Sequence, residues 1–411
     1  MTQPNSPSRI AVTDSTSLHE AIREAVAAET SLNVIGTGSR GGLGRPVEAD
    51  ATLDLGGLSG ITLYEPDELV MTAHAATPLA DILAALDDAG QILAFDPPHG
   101  GEGVAGAHGS IGGIIATNQG GPRRLVAGAA RDYVLGFKAI SGRGEAFQSG
   151  SRVVKNVTGY DLSKLMAGSF GTLAVMHEVT FKTMPKPETA ATILYACADA
   201  ENARQLLNQA FASPHEPTMA AIIPASVAVY SSTKALADFI QKGVVAAIRV
   251  EGFEISVKAR STALAGLDQQ CPGVVLGPED SDTIHADLRE RTFLPPQNNR
   301  VIWKISCPPE TGGRLLARLM ERPNCRAYAD WAGGMIWLSH PAGGDGGEAA
   351  IRAMLEETGG HATLIEAPEA MRRSLPVFPP QPQALMALTK RVKSVFDPVG
   401  VLNPGRMYEG V

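Results

Sequence analysis

The chain has 411 residues, beyond the ~250–300 at which a single hydrophobic core stops growing, so two domains are expected. Hydrophobic residues make up 44% and charged residues 19%, a globular composition that excludes wholesale disorder. The 35 Lys+Arg against 43 Asp+Glu leave a net charge of −8, which argues against a dedicated nucleic-acid binder, because phosphate binding rests on clustered cations.

In chain order, the Ser17-Leu18-His19-Glu20 stretch after Asp14 reads as a capping box opening a helix, with Leu18, Ile22, Ala25 and Val26 on one face. Leu32–Ile35 and Thr52–Leu55 are short strands around a glycine-rich segment. Ile61–Tyr64 and Leu69–Ala73 flank Glu65-Pro66-Asp67 as a hairpin. Thr77 and Pro78 open a helix that Gly90 closes. Strand runs follow at Gln91–Phe95, Tyr133–Ile140, Glu145–Gln148 and Thr172–Thr183. Met184-Pro185-Lys186-Pro187 is a hinge signal, because two prolines two apart extend neither element type. Beyond it, strands at Thr192–Ala196, Ala246–Val250, Val301–Ser306, Gly334–Ser339 and Ala362–Ile365 alternate with helices such as Ala200–Phe211, Thr311–Glu321 and Glu348–Glu356. A proline-rich stretch, Pro376–Pro382, leads to a last helix near Ala384–Phe396. These runs predict domains at 1–187 and 188–375, with a C-terminal helix and tail at 383–411. The four cysteines are far apart, with no C-x-x-C, and no apolar run is long enough to span a membrane. The start MTQPNSPSRI lacks the pattern of a secretory signal. A cytoplasmic protein is expected.

Glycine is concentrated at 36–44, 100–121, 142–150 and 341–347. Gly36-Thr37-Gly38-Ser39-Arg40-Gly41 fits G-x-G-x-x-G after a strand. A Rossmann site needs a helix there, and Gly42-Leu43-Gly44-Arg45-Pro46 blocks one. Gly101–Gly106 also fits but follows Pro97-Pro98-His99. Rossmann is rejected on both counts. The first run can still aim successive backbone N–H groups at an anion, with hydroxyls from Thr37 and Ser39 and charge from Arg40 or Arg45. Gly109–Gly121 mixes small and apolar residues, and Gly168–Val175 has the same character. Three such runs in the first domain point to one long ligand threaded along them.

The first domain and the last residues resemble the vanillyl-alcohol oxidase and p-cresol methylhydroxylase superfamily, and more closely the FAD-binding subunit of bacterial glycolate oxidase. The resemblance lies in the loop ending GLGRP, in ELVMTAHAATPL, DPPHGGEG and GGPRRLVAGAARDYVLG, and in KNVTGYDLSKLMAGSFGTLAV and FDPVGVLNPGRMY. It implies a two-domain α+β, non-Rossmann FAD-binding fold, with a second α+β domain of antiparallel strands and helices. By position, Gly36, Thr37, Gly38, Ser39 and Arg40 would hold the FAD pyrophosphate. Pro98, Ser110, Gly112, Gly113 and Thr117 would line the flavin and ribityl channel. Gly171, Thr172 and Val175 would meet the isoalloxazine or adenine side through backbone groups, and Asn403 would return to the flavin edge. The pyrophosphate loop has neither His nor Cys, so non-covalent FAD is expected. The implied partners are a second flavin subunit and an iron–sulfur subunit, with no nucleic acid and no membrane span of its own. Any membrane association would then run through those partners.

Oxidising a 2-hydroxy acid needs a proton acceptor and a cation for the carboxylate. Related flavin subunits use a metal-binding histidine stretch. The nine histidines here contain no H-x-H or H-x-x-x-H pair, so no metal site is expected and the catalytic residues stay unassigned. His99 and His108 flank the flavin loop but read more simply as loop caps. His340 reads as a surface turn, and Arg131-Asp132 as a structural ion pair. Arg123, Arg124 and Arg131 are candidates to hold a carboxylate or a flavin phosphate. Lys155, Asn156, Tyr160 and Asp161 either contact cofactor or partner, or cap a helix. Trp303, Trp331 and Trp337 read as core or interface. The expected function is an FAD-binding relay or assembly subunit of a glycolate-oxidising complex. The alternatives are a self-sufficient FAD-dependent 2-hydroxy-acid dehydrogenase and a structural subunit without flavin.

Overall fold

The computed structural model describes residues 8–100, 109–151, 160–236, 239 and 243–411. The chain divides into two units. The first comprises Met1–Gly120, Ala129–Lys186 and Pro380–Val411; the second comprises Gly121–Gly128 and Pro187–Pro379.

In the first unit, strands β1 (Ser8–Ala11), β2 (Leu32–Ile35) and β3 (Ala51–Asp54) form a parallel sheet in the order β1-β3-β2. Helix α1 (Ser15–Ala27) is capped by Asp14, whose carboxylate accepts from the Ser17 N–H at 2.7 Å while Ser17 Oγ accepts from the Asp14 N–H at 3.2 Å. The box is therefore Asp14 with Ser17, and the helix begins before the Ser17–Glu20 pair the sequence suggested. Two overlapping cap patterns compete here, and the one that leaves Leu18, Ile22 and Ala25 on the buried face prevails.

Strands β4 (Ile61–Glu65), β5 (Val70–His74), β7 (Val134–Ser141), β8 (Ala146–Gly150) and β9 (Ala174–Lys182) make an antiparallel sheet in the order β4-β5-β9-β7-β8. Between them lie α2 (Leu79–Asp88), β6 (Gln91–Ile92) and α3 (Ile111–Ala116). Side chains alternate across β9. Ala174 and Met176 join α2 and α3 in one core, while Val175 packs with Leu53, Ile140 and Leu402 in another. The run expected as strand 91–95 pairs only at Gln91–Ile92, with β10 (Met184–Pro185). Leu93, Ala94 and Phe95 are fully buried without pairing, because a short apolar run signals burial and not strand as such.

The second unit is built on one antiparallel sheet. Its strands are β11 (Thr189–Cys197), β12 (Met219–Pro224), β13 (Val244–Gly252), β14 (Val274–Leu276), β15 (Arg300–Ser306), β16 (Arg326–Asp330), β17 (Met335–Pro341) and β18 (His361–Glu366). The spatial order is β14-β11-β13-β12-β16-β17-β15-β18. Period-two alternation gives the sheet two apolar faces. Ile193, Ile222, Ile248, Trp303 and Ile305 pack under helices Ala200–Ala212, Pro309–Met320 and Glu348–Thr358. Leu194, Ile223, Ile302 and Trp337 lie on the other face with Ile284 and Leu288 of helix Pro278–Glu290. The short segment Gly121–Gly128 joins this unit through the Arg123–Glu251 ion pair at 3.2 Å and through Trp331 Nε1, which donates to Gly121 O at 3.2 Å.

Candidate functional site

Strand β2 ends at Ile35 and the chain turns through Gly36–Gly44 without forming a helix, as the block at Gly42–Pro46 requires. Gly38 takes φ +76°, a left-handed conformation that favours glycine, and a Cβ there would meet nothing within 4 Å. Thr37 Oγ1 donates to Ser39 Oγ at 3.2 Å, and Ser39 is buried. Arg40 is buried too. Its guanidinium donates to Gly100 O at 2.7 Å and to Pro98 O at 3.2 Å, so it braces the proline segment against the glycine turn.

The second run holds a helix that the sequence reading lacked. Ser110 is the N-cap of α3, its Oγ accepting from Gly113 N–H at 3.4 Å, and Thr117 Oγ1 donates back to Gly113 O at 2.7 Å. Two glycines in this helix oppose helix propensity, but packing requires them. A Cβ on Gly112 would lie 2.7 Å from Ala75 O, and one on Gly36 would lie 2.9 Å from Ser110 Oγ. The first two runs therefore touch.

The third run meets both. Gly168 N–H and Phe170 N–H donate to Ile115 O and Ala116 O at the end of α3, at 3.1 and 2.9 Å. The C-terminal tail closes the arrangement. Leu32 N–H donates to Val401 O at 2.7 Å and Asn403 N–H to Leu32 O at 2.9 Å. The Asn403 side chain accepts from Val34 N–H at 2.8 Å and donates to Phe170 O at 2.9 Å. It thus ties β2 to the third run, and a Cβ on Gly171 would come within 2.8 Å of its Nδ2. Thr172 donates its hydroxyl to Ser169 O and gives its carbonyl to Lys393, while the Val175 side chain is core. Asn403, Thr172 and Val175 are buttresses of the loops by geometry.

Two features escaped the sequence reading. Lys393, on helix Gln383–Phe396, is buried and donates to Asp397 Oδ2 (2.7 Å), Thr172 O (2.7 Å) and Leu402 O (2.9 Å). Asp397 accepts in turn from the N–H groups of Gly400, Val401 and Leu402 at 2.8–3.0 Å. Burial pushes the Lys393 pKa down, and Asp397 opposes that by favouring the ammonium. The i,i+4 spacing was the available signal. Ser169, buried inside the third run, has a hydroxyl with no partner in the protein. Buried polar atoms are almost always satisfied, so an orphan beside three glycine runs is what a bound cofactor would complete.

Other candidates lie apart. Asp132 does not pair with Arg131; it accepts from Ala129 N–H at 2.9 Å and faces Lys164 at 3.6 Å. Asp161 caps helix Leu162–Met166, and Tyr160 is exposed. His340 does not lie in a surface turn: it is in β17, in register with Val301, and its Nδ1 sits 2.8 Å from Pro341 O. His108, Lys155, Asn156 and the second G-x-G-x-x-G at 101–106 lie outside the described residues.

A family profile described as FAD binding domain matches residues 8–150. Across 98% of this chain and 88% of the other, the structure of p-cresol methylhydroxylase with substrate bound superposes at a TM-score of 0.69 and 13% identity. The open glycine turn at Gly38 and the unpartnered Ser169 hydroxyl fit such a cofactor. The class is thereby defined: an FAD-dependent oxidoreductase with the p-cresol methylhydroxylase type of α+β fold. The chain is 34% identical over 394 residues to glycolate oxidase subunit GlcE of Escherichia coli, covering 96% of this chain and 97% of that protein. It belongs to the family of that subunit. It is also 31% identical over 182 residues to glycolate oxidase subunit GlcD of Bacillus subtilis, covering 44% of this chain and 36% of that one.

Proposed function

We propose that this chain is the FAD-binding subunit of a glycolate-oxidising complex, in which glycolate becomes glyoxylate and electrons pass on to partner subunits. The observation that carries it is the convergence of the three small-residue runs and the tail on one unit, with the Ser169 hydroxyl left for a ligand. FAD supplies the two-electron acceptor. Gly36, Thr37, Gly38 and Ser39 offer backbone and hydroxyl donors to its pyrophosphate, with Arg40 holding the neighbouring Pro98 segment in place. Ser110, Gly112, Gly113 and Thr117 shape the adjoining channel, and Gly171 with Ser169 closes it. Thr172, Val175 and Asn403 fix that wall from behind. The FAD is held non-covalently, the pyrophosphate loop having no His or Cys. Residues 1–187 with 383–411 form the FAD domain, and 188–375 the cap.

The finer reading is a relay or assembly role beside a second flavin subunit and an iron–sulfur subunit. Its support is that the nine histidines include no pair at local metal-ligand spacing, so the proton acceptor for glycolate is sought in a partner. No helix among the described residues is long and apolar enough to cross a membrane, so attachment to the inner face of the cytoplasmic membrane would run through those partners. The test is the visible absorbance of the purified chain, anaerobically, with and without glycolate. A flavin spectrum that stays oxidised until partner subunits are added is the expected result. Bleaching in the chain alone would show a self-sufficient dehydrogenase, and a colourless chain that releases no flavin on denaturation would show a structural subunit.

A further inference from the structure

Helix Gln383–Phe396 in the first unit is held along one side and bare along another. Of its 14 residues only Lys393 is buried, fixed by the clasp to Asp397, Thr172 O and Leu402 O. Val392 and Phe396 rest on the core beneath, the Phe396 ring 6.0 Å from that of Phe147. The helix is thus anchored, yet Leu385 and Leu388 are each 46% exposed and Val395 58%. Single exposed apolar side chains need no explanation, but these are aligned. Leu385, Leu388, Val392 and Val395 follow one another at spacings of three, four and three residues. At 3.6 residues per turn they fall within one stripe about 80° wide.

A stripe this narrow is the seam along which two helices pair, the knobs of one entering the holes of the other. A membrane-surface helix instead sets a broad apolar face against a strongly cationic one. Here the exposed residues across from the stripe are Ala387, Lys390 and Ser394, with a single charge. Charge also bears on the occupant. The helix contains no Asp or Glu, in a chain where acids outnumber bases. Arg391 borders the stripe beside Val392, and Arg143, also exposed, donates from Nε to Val395 O at 2.6 Å. Among the described residues neither guanidinium has a carboxylate partner. In an antiparallel second copy, Leu385 would face Val395 and Leu388 would face Val392. That register brings the two Arg391 side chains within about one turn of each other, and like charges so placed repel.

We propose that this stripe docks an amphipathic helix of a partner subunit, apolar along its own seam and acidic along the edge that meets Arg391 and Arg143. The proposal rests on the reading of this chain as one subunit of a glycolate-oxidising complex. Leu388 and Val392 lie at the centre and enter the partner's holes, while the arginines at the border set its orientation. The clasp prepares the surface, because a helix already fixed by Lys393 orders little new backbone on docking.

The test mixes the full flavin-loaded chain with the second flavin subunit and the iron–sulfur subunit and follows assembly by sedimentation velocity. Leu388→Gln and Val395→Gln should each weaken assembly about tenfold, the worth of one half-exposed aliphatic side chain buried on docking. Arg391→Glu should weaken it at low salt by a similar factor, and the difference should shrink as salt rises. Ser394→Gln, on the far side of the helix, should assemble like the parent. Amide hydrogen exchange over 384–396 should slow in the complex. Each variant is first checked for parental flavin content and Tm, and if Leu388→Gln misfolds, Val395→Gln and Arg391→Glu decide. Variants that assemble like the parent, or unchanged exchange over 384–396, would overturn the docking surface and leave the complex standing. A parent chain that forms no complex would sink the proposed function and the stripe's partner with it. Self-association of the chain alone that Leu388→Gln abolishes would assign the stripe to a second copy. Flotation with phosphatidylglycerol vesicles that the same variant abolishes would assign it to a membrane, and either result overturns the helix partner.

Discussion

Lys393→Met removes the ammonium from the clasp that holds the C-terminal tail. Three acceptors lose a donor at once: Asp397 Oδ2, Thr172 O and Leu402 O. The Asp397 side chain is 0% exposed, so its carboxylate cannot turn to water. Removing one partner of a buried pair costs about 3–5 kcal/mol. The three N–H groups that still reach Asp397 place this case near the lower end. For a cooperative unit of about 200 residues, where 1 kcal/mol moves Tm by ~2–4 °C, about 3 kcal/mol lowers the midpoint by roughly 6–12 °C. Differential scanning calorimetry of the flavin-loaded chain measures it, and flavin released at a fixed sub-denaturing temperature should rise in parallel. Adding Asp397→Asn to Lys393→Met should recover part of the loss, since it removes the stranded charge. A single variant within about 1 °C of the parent, or a double variant at the full sum of the two singles, would refute a buried, coupled pair.

Ser169→Ala should weaken flavin binding about fivefold, the worth of one neutral hydrogen bond near 1 kcal/mol, and leave the flavin-free chain's Tm unchanged; equilibrium dialysis of FAD against the stripped chain checks it. Gly171→Ala combines φ +69° with a Cβ 2.8 Å from Asn403 Nδ2, so it should destabilise by about 1–3 kcal/mol in urea denaturation and shed flavin. Burial raises the Cys197 and Cys307 thiols to about 11, and Cys325 is partly buried, so only Cys271 should alkylate quickly at pH 8, as read by intact mass. The N–H groups of Ala349 and Gly347 hold the Asp345 carboxylate below its ordinary 3.8, so its contribution is complete above that value and fades as pH falls through the lowered one. Asp345→Asn should flatten the acid limb of a urea-midpoint against pH profile, and an unchanged limb would refute it.

The glycine runs were legible because glycine marks backbone that other residues avoid, and Gly42–Pro46 removed the helix a Rossmann site needs. That Ser110 starts a helix was not legible. Gly112 and Gly113 argue against one locally, and only the close approach of Ala75 makes them favourable. The clasp shows the same limit: Lys393 and Asp397 look like a surface i,i+4 pair until the tail folds over them. In the second unit, alternation located most strands. The neighbour relations, with β12 beside β16 and β15 beside β18, join segments too distant for local pattern to reveal. Trp331 was unreadable for a different reason, since nothing in its neighbours announces a left-handed tryptophan at φ +52°.

The bond between Asn403 and Val34 spans 369 residues, and it completes the edge of β2. During synthesis that edge stays open, with Leu32 and Val34 lacking their partners, until residue 403 has emerged. At ~5–20 residues per second this leaves the FAD-binding half unfinished for roughly 20–70 s after its first strands appear. Cofactor capture is therefore a late event in the life of the chain. Until then the open edge of β2 is a template on which a neighbouring chain can pair.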